Sequence, residues 1–254
     1  MLLAIDVGNT HVVMGLYRRT DKPLREQPMS SWRLQSDRKR TVDEYAIELL
    51  TLLSSEGVAP AEISQIALSC VVPPLQRVFV KLSRKYLKTT PLVVGPGIKT
   101  GMQVHYDDPR SVGADRIVNA VAAKALYGTP VIVVDFGTAT TFDVIGASGA
   151  YEGGAIAPGL LISADALFEK AAKLPNIELK RPGQLIGKST IESMRSGIIF
   201  GYVSLVDGMI ERIREEMEGS VRVIATGGLA AMIADESRFI EAVVPDLTLT
   251  GLRL

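Results

Sequence analysis

Two aspartates stand in the same short pattern at distant points of the chain. Asp6 belongs to IDVGNT at residues 5–10, and Asp135 belongs to VDFGTA at residues 134–139. A carboxylate can hold a cation, and the glycine that follows lets the backbone approach a ligand that a Cβ would repel. The next N–H groups and threonine hydroxyls can donate to phosphate oxygens. One copy is typical of an ordinary hairpin turn, but two copies with matched flanks favour two turns that bind phosphate and cations.

A second group of reactive side chains opens an alanine-rich apolar segment. GADR at residues 113–116 precedes IVNAVAA at residues 117–123, which predicts a helix with an acid and a base in its first turn. The helix dipole is expected to stabilise Asp115 as the anion and keep its pKa low. A weak base is sufficient for phosphoryl transfer, which mainly requires alignment of the attacking hydroxyl. From composition alone, a helix cap with a surface ion pair is an equal alternative.

Side chains around this segment could recognise a small molecule. The Arg116 guanidinium could fork onto a substrate carboxylate or onto the charge that develops during phosphoryl transfer. Tyr106 lies on the loop that leads into the segment and could line a pocket. The longest predicted helix, at residues 189–218, begins with Ser189 and Thr190; one of them would cap it, and either hydroxyl could also face a substrate. The broad apolar face of that helix predicts core packing first and a subunit interface second.

The charge balance argues against two classes of partner. Lys and Arg total 28, as do Asp and Glu, so no net field attracts nucleic acid or an anionic membrane. A basic run within residues 33–40 is interpreted as a solvated loop before a helix. No apolar stretch is long enough to span a bilayer, and the residues before Asp6 do not resemble a signal peptide. With one cysteine, Cys70, in a buried strand pattern, we expect a cytoplasmic protein without disulfides.

The elements that position these residues are predicted to occur in two similar sets. Each aspartate pattern joins the two strands of a hairpin, at residues 2–17 and 130–146, and a third strand follows each hairpin. Helix, strand, helix and strand complete the first half and recur in the second. Two β-β-β-α-β-α-β lobes around a central cleft are what a duplicated α/β fold would produce. We place the lobes at residues 1–112 and 113–254.

In order and spacing, these motifs closely resemble the type III pantothenate kinases, members of the acetate and sugar kinase, Hsp70 and actin superfamily. The resemblance covers nearly the whole chain. It implies a duplicated ribonuclease H-like fold, the fold of the actin-like ATPases. The matching stretches are residues 6–10, 113–116 with Asn119, 135–141, 153–159, 226–228 and 245–252.

The resemblance also implies an activity and a set of site residues. The reaction is ATP-dependent phosphorylation of the primary hydroxyl of pantothenate, the first step toward coenzyme A, with Asp115 as the base. A monovalent cation, K⁺ or NH₄⁺, would bind at Asp135, and Mg²⁺ would bridge phosphate oxygens near Asp6. The family further implies a homodimer with the long helix at its interface. Pantothenate would contact Tyr106, Gly113, Ala114, Asp115, Arg116 and Thr190, and ATP would contact Asp6, Val7, Gly8, Asn9, Thr10, His11, Val12, Val13 and Thr138.

Two other functions fit parts of the sequence. A sugar or hydroxy-acid kinase of the same superfamily would share the hairpins, but residues 113–116 argue against it because that element separates the family from the sugar kinases. A non-catalytic regulator that binds a nucleotide would also keep the hairpins. An intact Asp115 argues against a regulator, since a pure binder has no need of an oriented base.

Overall fold

A computed structural model describes residues 1–18, 27–95 and 98–254. Its contacts divide the chain into two compact units. The first consists of Met1–Met102, Tyr106–Leu126 and Asp246–Leu254, and the second of Gln103–His105 and Tyr127–Pro245. The units therefore differ from the single boundary predicted after residue 112. The helix that follows this point and the C-terminal helix both pack in the first unit.

The first unit is built on one mixed sheet with helices from three parts of the chain. The central strand β1 is antiparallel to β2 and parallel to β4, and the order across the sheet is β3-β2-β1-β4-β5. The strands are β1 (Leu2–Val7), β2 (His11–Tyr17), β3 (Ser30–Gln35), β4 (Gln65–Cys70) and β5 (Leu92–Val93). The helices are α1 (Val42–Ser55), α2 (Pro73–Tyr86), α3 (Ala114–Tyr127) and α7 (Leu247–Arg253), with short 3₁₀ turns at Pro60–Glu62 and Pro109–Ser111.

The second unit repeats the sheet and carries three helices. Its strands run in the order β10-β9-β6-β7-β8, with β6 antiparallel to β7 and parallel to β9. Counted from β8, this order matches the order of the first unit counted from β3. The predicted duplicated α/β fold is therefore confirmed. The strands are β6 (Val131–Phe136), β7 (Ala139–Ile145), β8 (Tyr151–Pro158), β9 (Arg222–Gly227) and β10 (Ala242–Val243), and the helices are α4 (Leu160–Lys170), α5 (Thr190–Glu215) and α6 (Ala230–Ala234).

Local sequence signals explain where the helices begin. Thr41 caps α1 by accepting from the Glu44 N–H at 3.3 Å, and the Glu44 carboxylate accepts from the Thr41 N–H at 2.7 Å. A threonine followed three positions later by a glutamate predicts this capping box, and the structure confirms it. Ser189 caps α5 in a similar way, because its Oγ accepts from the Glu192 N–H at 3.2 Å.

The C-terminal helix fixes α3 within the first unit. The Thr248 hydroxyl on α7 donates to Asn119 Oδ1 on α3 at 2.8 Å, and Asn119 is buried. Gly251 lies so close to the carbonyl oxygen of Val118 that a Cβ would overlap it. Helix α7 also packs against β1, β2 and β4. Helix α3 is thereby anchored to α7, which itself packs on the sheet of the first unit.

Among the helices that the structure describes, none, not even the 26-residue α5, combines the length and apolar character needed to cross a bilayer.

Candidate functional site

The first predicted phosphate turn joins β1 to β2. Asp6 stands in register with Val13 of β2 and Ser69 of β4, near the end of the central strand. The Gly8 N–H donates to the His11 carbonyl at 2.9 Å, and a Cβ on Gly8 would lie 3.2 Å from that oxygen. Asn9, Thr10 and His11 are exposed, whereas Val7 and Val12 are buried in the core. Of the residues predicted to contact ATP, Val7 and Val12 therefore have only backbone atoms to offer.

The loop after β3 supports this turn through contacts that the sequence does not predict. The Ser36 hydroxyl donates to the Gly8 carbonyl at 2.6 Å, and the Ser36 N–H donates to the Thr10 carbonyl at 2.9 Å. The Arg38 guanidinium donates to Asn9 Oδ1 at 3.3 Å. The only sequence signal was the basic run at residues 33–40, which carries no information about its spatial neighbour.

At the start of α3 the Asp115 carboxylate folds back over its own backbone. Its Oδ1 accepts from the Arg116 N–H at 2.8 Å. A Cβ added to Gly113 would lie 2.5 Å from the same oxygen, closer than real side chains approach. The observed placement of the carboxylate thus depends on glycine at position 113. The sequence predicts this group of residues but not the reason for its glycine.

The predicted low pKa of Asp115 is wrong. Burial raises the pKa of the Asp115 carboxyl, although the hydrogen bond from the Arg116 N–H and the Arg116 charge both lower it. Removal of water penalises the charged form, and here it outweighs the donors around the helix start. A carboxylate with a raised pKa is a better proton acceptor near neutral pH.

The other predicted pantothenate residues of the first unit differ in exposure. Arg116 is 8% exposed, which leaves its charge largely out of water. Tyr106 is 40% exposed on the loop before the Pro109–Ser111 turn. Asp108 holds that turn, since its Oδ1 accepts from the backbone N–H and Nε of Arg110, both at 3.1 Å.

The second predicted turn, between β6 and β7, repeats the first within its own unit. Asp135 stands in register with Thr141 of β7 and Thr226 of β9, as Asp6 does with Val13 and Ser69. The Asp135 carboxylate packs on Gly227, whose φ is +94°; a Cβ there would lie 2.7 Å from Asp135 Oδ1. Since a Cβ would also lie 2.6 Å from the Phe136 carbonyl, glycine at position 227 suits both that backbone and the carboxylate.

Two buried contacts hold residues 137–138 in place. Gly159, just after β8, lies so close to the carbonyl oxygen of Thr138 that no Cβ could fit. The Tyr202 hydroxyl of α5 is 2.5 Å from Thr140 Oγ1 and donates to the Pro158 carbonyl at 2.9 Å. Burial raises the pKa of the Tyr202 hydroxyl, which therefore stays protonated and able to donate. Thr138 itself is exposed at the tip of the turn.

Thr190 is the first residue of α5 and lines a groove in the second unit. Because Ser189 serves as the cap, the Thr190 hydroxyl is not needed for that purpose. The groove has a volume of about 530 Å³ and lies between α4 and α5. Gly197 and Gly201 open it on one side, and its walls are largely apolar, with Leu160, Leu167 and Leu205 among them.

Each predicted cation site offers a single aspartate carboxylate, Asp6 or Asp135. Among the described residues, no group of three or more His, Cys, Asp or Glu side chains could enclose a metal ion. Mg²⁺ is usually bound by one or two carboxylates together with phosphate oxygens and water, so the single Asp6 carboxylate fits it. The oxygen chemistry of Asp135 and its register neighbours Thr141 and Thr226 fits a hard cation.

Sequence comparison gives one family for this chain. A family model described as "Type III pantothenate kinase" matches residues 2–212. The type III pantothenate kinase of Syntrophotalea carbinolica is 54% identical over 254 residues, which is all of this chain and 97% of the relative. Further relatives at 50 to 52% identity carry the same name.

Structural comparison shows the fold. A protein of Campylobacter jejuni named for the Baf family of transcriptional activators has a TM-score of 0.60 at 17% identity, with 99% of this chain and 95% of that chain covered. The polyphosphate/ATP-glucomannokinase of an Arthrobacter species has a TM-score of 0.51 at 15% identity, with 99% and 96% covered. Both likenesses extend over the two duplicated sheets.

Proposed function

Because the chain belongs to the type III pantothenate kinases, we propose that residues 113–116 form its pantothenate site and that Asp115 is the base. The protein is a kinase that phosphorylates pantothenate with ATP, a step in the synthesis of coenzyme A. The observation that carries the assignment is the Asp115 carboxylate. It lies over Gly113, and its pKa is raised by burial.

The proposed step transfers one phosphoryl group. The primary hydroxyl oxygen of pantothenate forms a bond to the γ-phosphorus of ATP, and the bond from that phosphorus to the ADP oxygen breaks. The hydroxyl proton passes to Asp115. Phosphoryl transfer depends mainly on alignment and on stabilisation of charge, so a carboxylate fixed by the Arg116 N–H serves first to orient the hydroxyl.

Recognition of pantothenate follows from the charge of its carboxylate. We propose that Arg116 binds this group, because a largely buried guanidinium is a strong partner for a carboxylate. Tyr106, Gly113, Ala114 and Thr190 complete the proposed contacts. Replacing the carboxylate of pantothenate with an uncharged alcohol should therefore weaken its binding to the protein. The loss should be greater than the loss caused by shortening the apolar part of pantothenate.

The ATP contacts are proposed for the two turns. Residues 6–13 offer backbone N–H groups and the exposed side chains of Asn9 and Thr10, and residue 138 offers a threonine hydroxyl. Mg²⁺ near Asp6 would neutralise phosphate charge. A monovalent cation, K⁺ or NH₄⁺, is proposed at Asp135. Full activity in buffer with sodium as the only monovalent metal ion would contradict that last assignment.

We also propose a homodimer through α4 and α5. Of the fifteen large apolar side chains that are exposed in the described residues, eight lie between residues 161 and 205. Exposed apolar side chains concentrated in this way are typical of a protein interface. The eight residues are Leu161, Ile162, Leu167, Phe168, Leu185, Ile186, Ile191 and Leu205.

We propose a cytoplasmic location as well. The single cysteine is typical of a protein from a reducing compartment, which supports this proposal.

A coupled assay of ADP release tests the proposed substrate. Pantothenate should support ADP release, and mass spectrometry should find phosphopantothenate. A panel of sugars and hydroxy acids should give only background release. Faster turnover of any panel member would favour the rival kinase, and ATP binding without turnover of any acceptor would favour a regulator.

A further inference from the structure

The basic run at residues 33–40 is divided by the structure into groups with different surroundings. Arg40 is bound to Glu48 at 2.6 Å and lies over the Tyr45 ring, 5.5 Å from its centroid. Arg33 lies on β3, in register with Val13. Only Arg38, among the basic side chains of this described segment, has a hydrogen bond to the turn at residues 8–10. The interpretation of the whole run as a solvated loop therefore does not account for Arg38.

The backbone beside Arg38 is firmly held. The buried Tyr45 accepts from the Asp37 N–H through its Oη at 2.8 Å. The Lys39 N–H donates to Asp37 Oδ1 at 2.8 Å, and Ser36 binds the turn through its hydroxyl and its N–H. A side chain that starts from such a fixed point loses less conformational entropy when it binds a ligand.

The Arg38 guanidinium has donors to spare. Guanidinium carries five N–H donors, and Asn9 Oδ1 takes one of them at 3.3 Å. Within the described residues, no carboxylate lies at ion-pair distance from Arg38, and the side chain is exposed. Residues 11–13 add no formal positive charge at neutral pH, and within the described part of residues 33–40 Arg38 is the cation that is hydrogen-bonded to this turn.

We propose that Arg38 binds the polyphosphate of ATP at the turn of residues 8–10. The inference rests on the proposed function, which assigns that turn to ATP. Guanidinium and phosphate form short, charge-assisted hydrogen bonds with two-point geometry. Arg38 would neutralise phosphate charge. Asn9 would orient its guanidinium, and Ser36 would hold the backbone of the turn.

Three variants test the role of Arg38. Arg38→Ala removes the guanidinium, Arg38→Lys keeps the charge without the fork, and Lys39→Ala is the matched control, because it removes a neighbouring charge but keeps the backbone bond to Asp37. Loss of a charge-assisted hydrogen bond at an exposed site should raise the KM for ATP about tenfold in Arg38→Ala. The KM for pantothenate should stay within about twofold, and Arg38→Lys should fall between Arg38→Ala and wild type.

Calorimetric binding without pantothenate separates this inference from the proposed function. In Arg38→Ala the affinity for ATP should fall about tenfold while the affinity for adenosine is unchanged, because only the phosphates contact Arg38. An equal loss for adenosine, an equal effect of Lys39→Ala, or unchanged ATP binding would each overturn the assignment. If wild-type protein fails to turn over pantothenate, the proposed function is wrong, but the binding comparison still tests Arg38.

Discussion

At the scale of single residues, Gly113 and Asp115 act together to position one carboxylate. The carboxylate occupies the space that a Cβ at position 113 would fill, and it accepts from the Arg116 N–H. The same solution occurs in the second unit, where the Asp135 carboxylate packs on Gly227. At Gly113 a Cβ would meet chiefly the carboxylate, whereas at Gly227 the φ of +94° and the Phe136 backbone, 2.6 Å from a Cβ, also favour glycine.

Gly113→Ala should displace the Asp115 carboxylate and leave the fold intact. A Cβ 2.5 Å from Oδ1 can be accommodated only if the carboxylate moves. A displacement of this size at a reacting group lowers turnover on the order of 100-fold. Gly95→Ala is the control, since a Cβ there meets nothing within 4 Å. Steady-state kinetics with matching circular dichroism spectra measure the effect; equal activity of the two variants would contradict it.

Asp115→Asn should make the protein more stable at neutral pH. The folded-state pKa of Asp115 is raised, chiefly by burial, so the native protein binds this proton more tightly than the unfolded chain does. The carboxyl therefore has no effect below its unfolded pKa, destabilises the fold increasingly as the pH rises from that pKa to the folded pKa, and has its full effect above the folded pKa. Thermal unfolding should give a higher Tm for the variant at pH 7. The difference should shrink as the pH falls through the carboxyl titration; a constant difference would mean that the charge is not its cause.

At the scale of elements, the site depends on a helix that arrives from the far end of the chain. Helix α7 holds α3 through Thr248 and Asn119 and through the contact of Gly251 with Val118. Leu249 of the same helix would be 2.9 Å from a Cβ on Gly15 of β2. The tail thus packs against both the helix that carries Asp115 and the strand that follows the first phosphate turn.

Thr248→Val should destabilise the first unit. The change leaves Asn119 Oδ1 without the hydroxyl that donates to it at 2.8 Å. A buried polar atom that loses its donor costs about 1–3 kcal/mol. Thr250→Val on the same helix is the control, because its hydroxyl makes no such bond in the described structure. Urea unfolding should show the loss for Thr248→Val alone, and equal midpoints for the two variants would contradict the anchoring role.

Elements with a strong local signal could be predicted from the sequence. Both hairpins, the capping box of α1 and the start of α3 are encoded within a few residues, and each is confirmed. The apolar pattern FIEAVV at residues 239–244 predicts a strand of that length, which is wrong, because only Ala242–Val243 pair with β9. The clamp by Ser36 and the bond between Thr248 and Asn119 join residues 28 and 129 positions apart. No periodicity encodes contacts of that kind.

At the scale of the whole molecule, one sheet order occurs twice with different additions. The first unit carries α3 with Asp115, and the second inserts α4 before the long α5. The duplication could be predicted because both copies keep the Asp-x-Gly pattern. The packing of α3 and α7 in the first unit could not, since it depends on contacts between residues far apart in the chain.

Leu161→Glu should dissociate the proposed homodimer. Leu161 is 54% exposed on α4, and a charge in an apolar interface would have to be buried without a partner. Light scattering should give about twice the 27.3 kDa chain mass for wild type and a single chain mass for the variant. Ile47→Glu on α1, at a residue 66% exposed, is the control and should remain dimeric. A wild-type protein that is monomeric at high concentration would contradict the interface.

The central claim is that this chain phosphorylates pantothenate with Asp115 as its base, and the direct measurement is phosphopantothenate formation by Asp115→Asn. Loss of a positioned base lowers turnover about 100- to 10,000-fold. ATP affinity should stay close to that of wild type, which would show that the site is intact. Turnover in the variant comparable to wild type would contradict the assignment of Asp115.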